Sequence, residues 1–365
     1  MHRVLLLGAG KIGRAIASFL HRSGDYQVTV ADISQPTLDL LSQQTPIRAI
    51  QADIQSIDIL RTLMRENDSV ISALSFAYNP NVATVAVELG CSYFDLTEDV
   101  ETTRAVRALS ERCQSGSILM PQCGLAPGFI SIAANHLASQ FDSLDTVHMR
   151  VGALPLFPTN RLKYNLTWST DGLINEYCNP CEAIHDGHFQ EVLPLEGYES
   201  FSLDGDKYEA FNTSGGLGSL AETYSGKVRE LNYRTVRYPG HCELMRFLLH
   251  DLRLAEDRSR LKQILESSMP VTYQDVVITF VSVAGTIKGQ LVQINDARKI
   301  YHQHFDGLHW GAIQLTTAAG ICTALDLHVQ RKLPDRGFVR QEQIRLEDFL
   351  DNRFGKVYKQ SFEER

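Results

Sequence analysis

Gly8, Gly10 and Gly13 stand in the run Gly8-Ala9-Gly10-Lys11-Ile12-Gly13, and Asp32 follows at the distance of roughly 20 residues typical of a dinucleotide fingerprint. Glycines at this spacing suit a bound anion. The first permits a tight turn, the second lets the backbone approach a pyrophosphate, and the third lets a helix pack close on a strand. A helix starting near Lys11 points unpaired N–H groups and a partial positive charge at the phosphates. Asp32 is placed to accept hydrogen bonds from adenosine ribose hydroxyls, and it repels a phosphate at the 2′ position. Ile33 and Ser34 supply no arginine to hold one, so NAD is expected in preference to NADP. A second constellation, Cys178-Asn-Pro-Cys181 with His185 and His188, has the residue types of a tetrahedral zinc site. The spacing between its pairs is far shorter than a zinc finger's, and Asp186-Gly187 reads as a two-residue hairpin turn. That turn sets His185 against His188 and leaves the cysteines at the far end, so no metal is expected. His302 and His304, on one strand face, and His309 raise the same idea more weakly.

These residues need elements to hold them. Arg3–Leu7 is a continuous apolar run, Ile12, Ala15, Ile16 and Phe19 fall at helical spacing, and Gly24 ends that helix. Gln27–Ala31 reads as a second strand with Asp32 at its tip, completing a dinucleotide-binding βαβ unit. Alternation continues with strands at Ile47–Ile50, Ser69–Leu74, Cys91–Leu96 and Ile118–Gln122, and helices at Ile57–Met64, Asn81–Leu89 and Glu101–Cys113. Six strands with crossover helices predict an α/β fold, a Rossmann doubly wound parallel sheet with its ligand crevice at the strands' carboxyl ends. The coenzyme is expected against Gly8, Gly10, Lys11, Ile12, Gly13, Asp32, Ile33, Asp53, Ile54, Ala73, Leu74 and Ser75. Asp95 and Cys123 stand at later strand ends.

At Gly124-Leu-Ala-Pro-Gly128 the pattern changes, and Pro127 and Gly128 break the chain before a helix at Phe129–Leu137. Alternating segments follow at Thr146–Val151, Lys163–Trp168, Val228–Tyr233, Val276–Val283, Leu291–Asn295 and Ile300–His304, with hairpin signals at Asp186-Gly187 and Asp204-Gly205. They predict a second α+β domain on a mostly antiparallel sheet, with a helix at Glu243–Leu252. Trp310–Leu327 is helical and rich in small residues, suited to packing back on the first domain. The expected division is 1–125 plus about 305–365 for the nucleotide domain and 126–304 for a substrate-binding and oligomerisation domain. Leu346–Phe354 is a further helix, and the polar tail after Gly355 is expected to fray.

Bulk properties narrow the partners. At 365 residues one to three domains are expected, and a formal charge of −8 argues against nucleic acid or an anionic membrane surface. No apolar run approaches the roughly 20 residues that span a bilayer. A strand beginning at once after Met1 leaves no room for a signal peptide, and seven scattered cysteines fit free thiols in a reducing cytoplasm.

GAGKIG at Gly8–Gly13, ISAL at Ile71–Leu74, YFDLTED at Tyr93–Asp99, CGLAPG at Cys123–Gly128, LKYNLTWSTDGLINEY at Leu162–Tyr177, RTVRYPGH at Arg234–His241 and the Thr316–Gly320 region stand in this order along the chain. Together they resemble the saccharopine dehydrogenase-like family, most closely its lysine 6-dehydrogenase branch. The resemblance implies a homodimeric or larger enzyme that uses NAD to oxidise an amine carbon of an amino acid. L-lysine would be deaminated at its ε-carbon to the semialdehyde, which cyclises to piperideine carboxylate, with release of ammonia. Saccharopine enzymes of the same family instead act on the secondary amine between lysine semialdehyde and glutamate, and a carboxy-polyamine dehydrogenase is a related alternative. In such relatives, residues matching Cys123 and Trp168 line the substrate pocket, and those matching the Thr213 loop and the Arg237–Tyr238 turn lie near substrate. Saccharopine enzymes carry an asparagine-arginine pair where this chain reads Asn212-Thr213-Ser214-Gly215-Gly216, a departure that weakens a site for a second dicarboxylate arm.

Hydride removal from an amine carbon requires a group to take the ammonium proton, a water to attack the iminium and a clamp for the carboxylate. Arg237 suits the clamp, because its fork matches a carboxylate in two parallel bonds; the alternative is an ordinary ion pair. His241, after the sharp Tyr238-Pro239-Gly240 bend, is a candidate base or water-orienting group, or else a packing histidine. Asp95 and Glu98 follow the fifth strand and are candidates for the substrate's ammonium or its proton, or for helix capping. Cys123 is assigned to pocket lining, since no covalent step demands a thiolate. A reading of another class, a non-catalytic NAD-binding regulatory protein, also stands.

Overall fold

The computed structural model describes residues 1–305 and 307–359, the side chain of Phe305 apart. The first apolar run forms β1 (His2–Leu7), whose last four residues are buried, and α1 (Lys11–Ser23) follows, stopped by Gly24 in the left-handed conformation at φ 78°. Then come β2 (Tyr26–Asp32) and α2 (Gln35–Gln44), an addition to the expected elements. The Ser34 hydroxyl accepts from the Thr37 N–H and Pro36 occupies the first turn, so α2 carries a cap and a proline where helices favour them. Next are β3 (Arg48–Gln51), α3 (Ile57–Met64), β4 (Ser69–Ser72), α4 (Asn79–Leu89), β5 (Ser92–Asp95), α5 (Val100–Arg107) and β6 (Ile118–Met120). The strands stop short of their expected ends because Ala73–Ser75, Leu96 and Gln122 already turn into the crevice loops.

The second half runs through α6 (Phe129–Ala138), β7 (Ser143–Pro155), α7 (Thr170–Cys178), β8 (Cys181–His185), β9 (His188–Val192), β10 (Glu199–Leu203), β11 (Asp206–Asn212), α8 (Leu220–Tyr224), β12 (Glu230–Arg237), α9 (His241–Arg246) and α10 (Arg258–Ser268). It continues with β13 (Asp275–Ile287), β14 (Gln290–Tyr301), β15 (Gln303–Phe305), β16 (Leu308–Trp310), α11 (Ala312–Val329), β17 (Gly337–Phe338) and α12 (Leu346–Asp351).

The chain forms two compact units. One comprises Met1–Phe129 and Gln314–Lys359; the described part of the other is Ile130–Ile313. The first unit holds a parallel sheet in the order β17-β6-β5-β4-β1-β2-β3, seven strands where six were expected. The seventh, β17, comes from the returning chain and pairs with β6. Strand order reverses between β1 and β4, where the Ala73 N–H donates to Leu7 O at 2.8 Å; such a switch point opens a crevice. Helix α11 is long and apolar enough, by length and composition, to cross a membrane, contrary to expectation, yet 78% of it is buried within the fold. The tail is ordered further than expected. Tyr358 is fully buried, stacks on Phe129 at 3.9 Å between ring centroids and donates to Thr316 O; the rest of the expected fraying segment, from residue 360, lies outside the described residues.

The second unit is built on eight strands in the order β10-β11-β12-β7-β13-β14, with β8 on β12 and β9 on β8. The sheet is mixed, because β12 runs parallel to β7. The two expected segments at Leu291–Asn295 and Ile300–His304 are mainly the single strand β14, paired with β13 from Val276↔Tyr301 to Ile287↔Gln290. Lys163–Trp168 is not a strand. Its alternation arises because Tyr164 and Leu166, and partly Trp168, insert into an apolar cluster with residues of α7, α9 and α10, while only Leu166 bridges to Val271. The expected Glu243–Leu252 helix begins earlier, at His241, and passes into a π turn over Phe247–Asp251.

Candidate functional site

In the first unit the glycine bend at the end of β1 forms a cradle. Gly8 has φ +97°, and a Cβ there would meet the Ala73 carbonyl oxygen at 2.8 Å. A Cβ on Gly13 would fall 2.0 Å from the Gly8 carbonyl oxygen, so α1 can seat on the bend only with hydrogen at that position. At Gly10 a Cβ would have nothing within 4 Å, which is the open side an approaching pyrophosphate needs. The first turn of α1 carries no acidic residue and no side-chain cap, leaving its dipole end to an anion. Asp32 closes β2 with Oδ2 accepting from the Ala9 N–H at 2.7 Å and Oδ1 from the Ser34 N–H at 2.8 Å. Each oxygen keeps a further lone pair for a hydroxyl, and Ile33 beside it is 62% exposed. These residues fit an adenine dinucleotide.

The other expected contacts divide by position. Lys11 is half-buried, with burial and then Arg14 lowering its pKa, and its carbonyl accepts from Gln314 Nε2 at 3.1 Å. Ile12 is half-buried. Asp53 accepts from the Gln55 N–H in a local turn, while Ile54 and Leu74 pack partly onto the apolar cluster beneath the sheet. Ala73 faces Gly8, and Ser75 is exposed before a short 3-10 turn.

Asp95, the expected catalytic candidate, is taken up by hydrogen bonds within the protein. It is fully buried and takes four donors: Tyr93 Oη at 2.5 Å, the Thr97 and Gln122 N–H groups at 2.9 Å, and Asn79 Nδ2 at 3.2 Å. Its four lone-pair positions are thereby filled, leaving none for an amine. Burial raises its pKa to about 6, against the pull of those bonds. Asp95 braces the crevice, holding Gln122 at φ 65° where the chain turns into Cys123. Cys123 is likewise a core thiol: it is buried, donates to Met120 O, accepts from Gln341 Nε2, and burial pushes its pKa well up.

In the second unit the bend after β12 places Arg237 and His241 in one buried group. Gly240 takes φ +97°, and Glu209 on β11 clasps the bend, accepting from the Gly240 N–H at 2.7 Å and the Cys242 N–H at 2.6 Å. Arg237, 3% exposed, lies over the rings of Tyr164 and Tyr177, at 5.0 and 5.7 Å from their centroids. Its Nε donates to Tyr177 Oη at 2.9 Å and its Nη1 to Val236 O at 2.8 Å; Nη2 stands 4.0 Å from Glu176. Burial opposes its charge, but Tyr177, Tyr164 and Glu176 hold its pKa above the usual range.

His241, the other expected catalytic candidate, is likewise bonded within the protein. Its Nδ1 lies 2.8 Å from the Leu162 carbonyl, which only accepts, so Nδ1 carries the proton. Nε2 then accepts from Tyr177 Oη–H at 3.0 Å, and the Tyr177 oxygen accepts from Arg237. Both ring nitrogens are committed within the protein and the side chain is 1% exposed. Burial, then the Arg237 charge, lowers its pKa to about 3. Tyr238 points away from this group, stacking on Tyr208 and donating to Pro155 O, because alternate residues at a strand end face opposite sides. Trp168 joins the group by donating from Nε1 to Tyr164 Oη at 3.1 Å. Thr213 is buried, with a hydroxyl that has no hydrogen-bond partner.

Sequence reasoning missed Tyr164, Tyr177, Glu176 and Glu209. The signal for α7 was present: Ser169 caps it by accepting from the Gly172 N–H, and Leu173 and Tyr177 lie one helical turn apart. Among the described residues, the group of three donors within mutual reach of one ion is His185, Asp186 and Glu230, on the surface and shared with Arg229. Cys178 and Cys181 lie outside it, and all seven cysteines are free. His309 contacts His304 and His302 ring to ring, at 4.4 and 5.0 Å.

The family model described as saccharopine dehydrogenase NADP binding domain matches residues 4–120, and that of the saccharopine dehydrogenase C-terminal domain matches residues 124–355. Saccharopine dehydrogenase (NADP+, L-glutamate-forming) of Saccharomyces cerevisiae is 24% identical over 322 residues, 83% of this chain and 69% of that protein. The mitochondrial alpha-aminoadipic semialdehyde synthase of Rattus norvegicus is 22% identical over 262 residues, 67% of this chain but only 27% of that protein. The fold matches the solved apo saccharopine dehydrogenase (L-Glu forming) of Saccharomyces cerevisiae with a TM-score of 0.79 at 18% identity, covering 95% of this chain and 96% of that one. With both family models matched in order along nearly its whole length, the chain belongs to the saccharopine dehydrogenase family of oxidoreductases.

Proposed function

We propose that the protein catalyses NAD-dependent oxidative deamination of an amino acid, with L-lysine oxidised at the ε-carbon to the semialdehyde and ammonia released. Gly8, Gly10, Gly13 and the first turn of α1 hold the pyrophosphate, and Asp32 receives the adenosine ribose. When bound, the dinucleotide supplies the hydride acceptor. Arg237, ion-paired with Glu176 through Nη2, binds the substrate carboxylate through the Nη protons that Tyr177 and Val236 do not take. Neither Asp95 nor His241 serves as the base.

One observation carries the substrate choice. The Asn212–Gly216 loop offers the buried, unpartnered Thr213 hydroxyl where the resemblance to saccharopine enzymes implies an asparagine-arginine pair. Asp32 supports NAD, although the yeast relative's name specifies NADP. That name also keeps saccharopine as a second reading. Initial rates of coenzyme reduction with L-lysine, saccharopine and a carboxy-polyamine, each with NAD and with NADP, decide between them. L-lysine with NAD is expected to be fastest and to yield ammonia. Faster turnover of saccharopine overturns the substrate assignment, and preference for NADP overturns the role of Asp32.

A further inference from the structure

The chain of bonds behind Arg237 has a fixed direction. Leu162 O can only accept and the guanidinium can only donate, so both ends are set by chemistry. Between them His241 and Tyr177 have one consistent arrangement of protons: Nδ1–H to Leu162 O, Tyr177 O–H to Nε2, and Arg237 Nε–H to Tyr177 O. The Tyr164 ring lies 5.0 Å from the guanidinium carbon, and the bond from Nε to Tyr177 Oη fixes the rotation of the group. Because Nε is occupied, the side-on fork of Nε and Nη2 is closed to a ligand. Nη1 gives one proton to Val236 O, and Nη2 stands beyond hydrogen-bond reach of Glu176. The remaining fork is the Nη1–Nη2 end.

We propose that Tyr177, backed by His241, is a positioning residue for amino-acid recognition: it turns Arg237 so that a substrate carboxylate is taken end-on, in two parallel bonds to Nη1 and Nη2. The inference rests on the reading of Arg237 as the carboxylate clamp. Tyr177 acts through Arg237 and does not touch substrate.

The test uses the full-length protein with NAD, with affinity for L-lysine and for saccharopine read by tryptophan fluorescence and KM and kcat read by coenzyme reduction. Tyr177→Phe keeps the ring and removes the hydroxyl. It is expected to weaken amino-acid binding roughly tenfold, as loss of one hydrogen bond to a charged group implies, with kcat within about twofold and NAD affinity unchanged. Arg237→Lys is expected to weaken binding further. Tyr177→Phe added to Arg237→Lys is expected to have no additional effect, a coupling that general loosening of the fold would not produce. His241→Phe repeats the pattern where it folds, and Tyr177→Phe stands as the test where it does not. If Tyr177→Phe leaves amino-acid affinity unchanged while Arg237→Lys lowers it, the positioning role is wrong and the clamp survives. If Arg237→Lys has no effect, or the wild-type protein responds to neither amino acid, the clamp and the positioning role fall together.

Discussion

At the scale of single residues, carboxylates differ in the hydrogen-bonding capacity that the fold leaves them. Asp32 retains accepting capacity after binding two backbone N–H groups, whereas Asp95 has spent all of its own. Asp32→Ala is expected to weaken NAD binding by roughly 10- to 100-fold, on charge-assisted bonds worth about 1.5–3 kcal/mol, and to weaken NADP far less because a repulsion is relieved. Coenzyme fluorescence titrations check this, and an equal loss for both coenzymes contradicts it. His241 gives a pH prediction. Its pKa is near 6.5 when unfolded and about 3 when folded, so its contribution is complete above pH 6.5 and drains away as pH falls toward 3. Between pH 7 and 5 the loss is about 2 kcal/mol. Asp95, raised to about 6, works the other way, gaining stability on acidification. Chemical denaturation at the two pH values should therefore show His241→Asn losing about 2 kcal/mol less than the wild type on acidification; equal losses refute the assignment. The sequence displayed His241 and Asp95 as residue types in suggestive places, but saturation of their hydrogen bonds was invisible because Leu162, Gln122 and Asn79 are distant in sequence.

At the scale of elements, the βαβ opening was legible because its demands are local: an apolar run, a bend only glycine tolerates, a helix and an acidic tip. Gly13 and Gly10 divide that motif into folding and binding parts. Gly13→Ala drives a Cβ into the Gly8 carbonyl, so thermal unfolding should show a loss of about 1–3 kcal/mol together with lost NAD binding. Gly10→Ala has room for its Cβ and should stay within about 1 kcal/mol of the wild type in stability, while NAD affinity falls at least as far. A Gly10 variant that binds NAD normally would remove the pyrophosphate from this bend. Lys163–Trp168 misled because side chains inserted alternately into a helical cluster give the same pattern as a strand. Whether neighbouring backbone pairs with such a segment is not a local property.

At the scale of the whole chain, the return from Gln314 completes the first unit. Asp326, on α11, is buried and accepts from Tyr26 Oη at 2.5 Å, Arg353 Nη2 at 2.6 Å, Asn352 Nδ2 at 2.7 Å and Gln330 Nε2 at 2.8 Å. These bonds join β2 to the turn that follows α12. Asp326→Ala leaves those donors without their shared acceptor and is expected to cost about 3–5 kcal/mol. A melting temperature close to the wild type's would show that water replaces the carboxylate. The returning helix was legible from its small residues. The added strand β17 was not, since a two-residue pairing carries no periodicity.

By itself the sequence determined the dinucleotide fold and the glycine cradle with its acidic tip. Each depends on backbone freedom or side-chain chemistry within a short stretch. Tertiary structure alone decided that the hydrogen bonds of His241 and Asp95 are taken up within the fold, that Tyr177 stands between a histidine and an arginine sixty residues away, and that the sheet gains a strand from the carboxyl end. Hydrogen-bond capacity is consumed by whichever groups the fold brings near, and no local pattern records which those are.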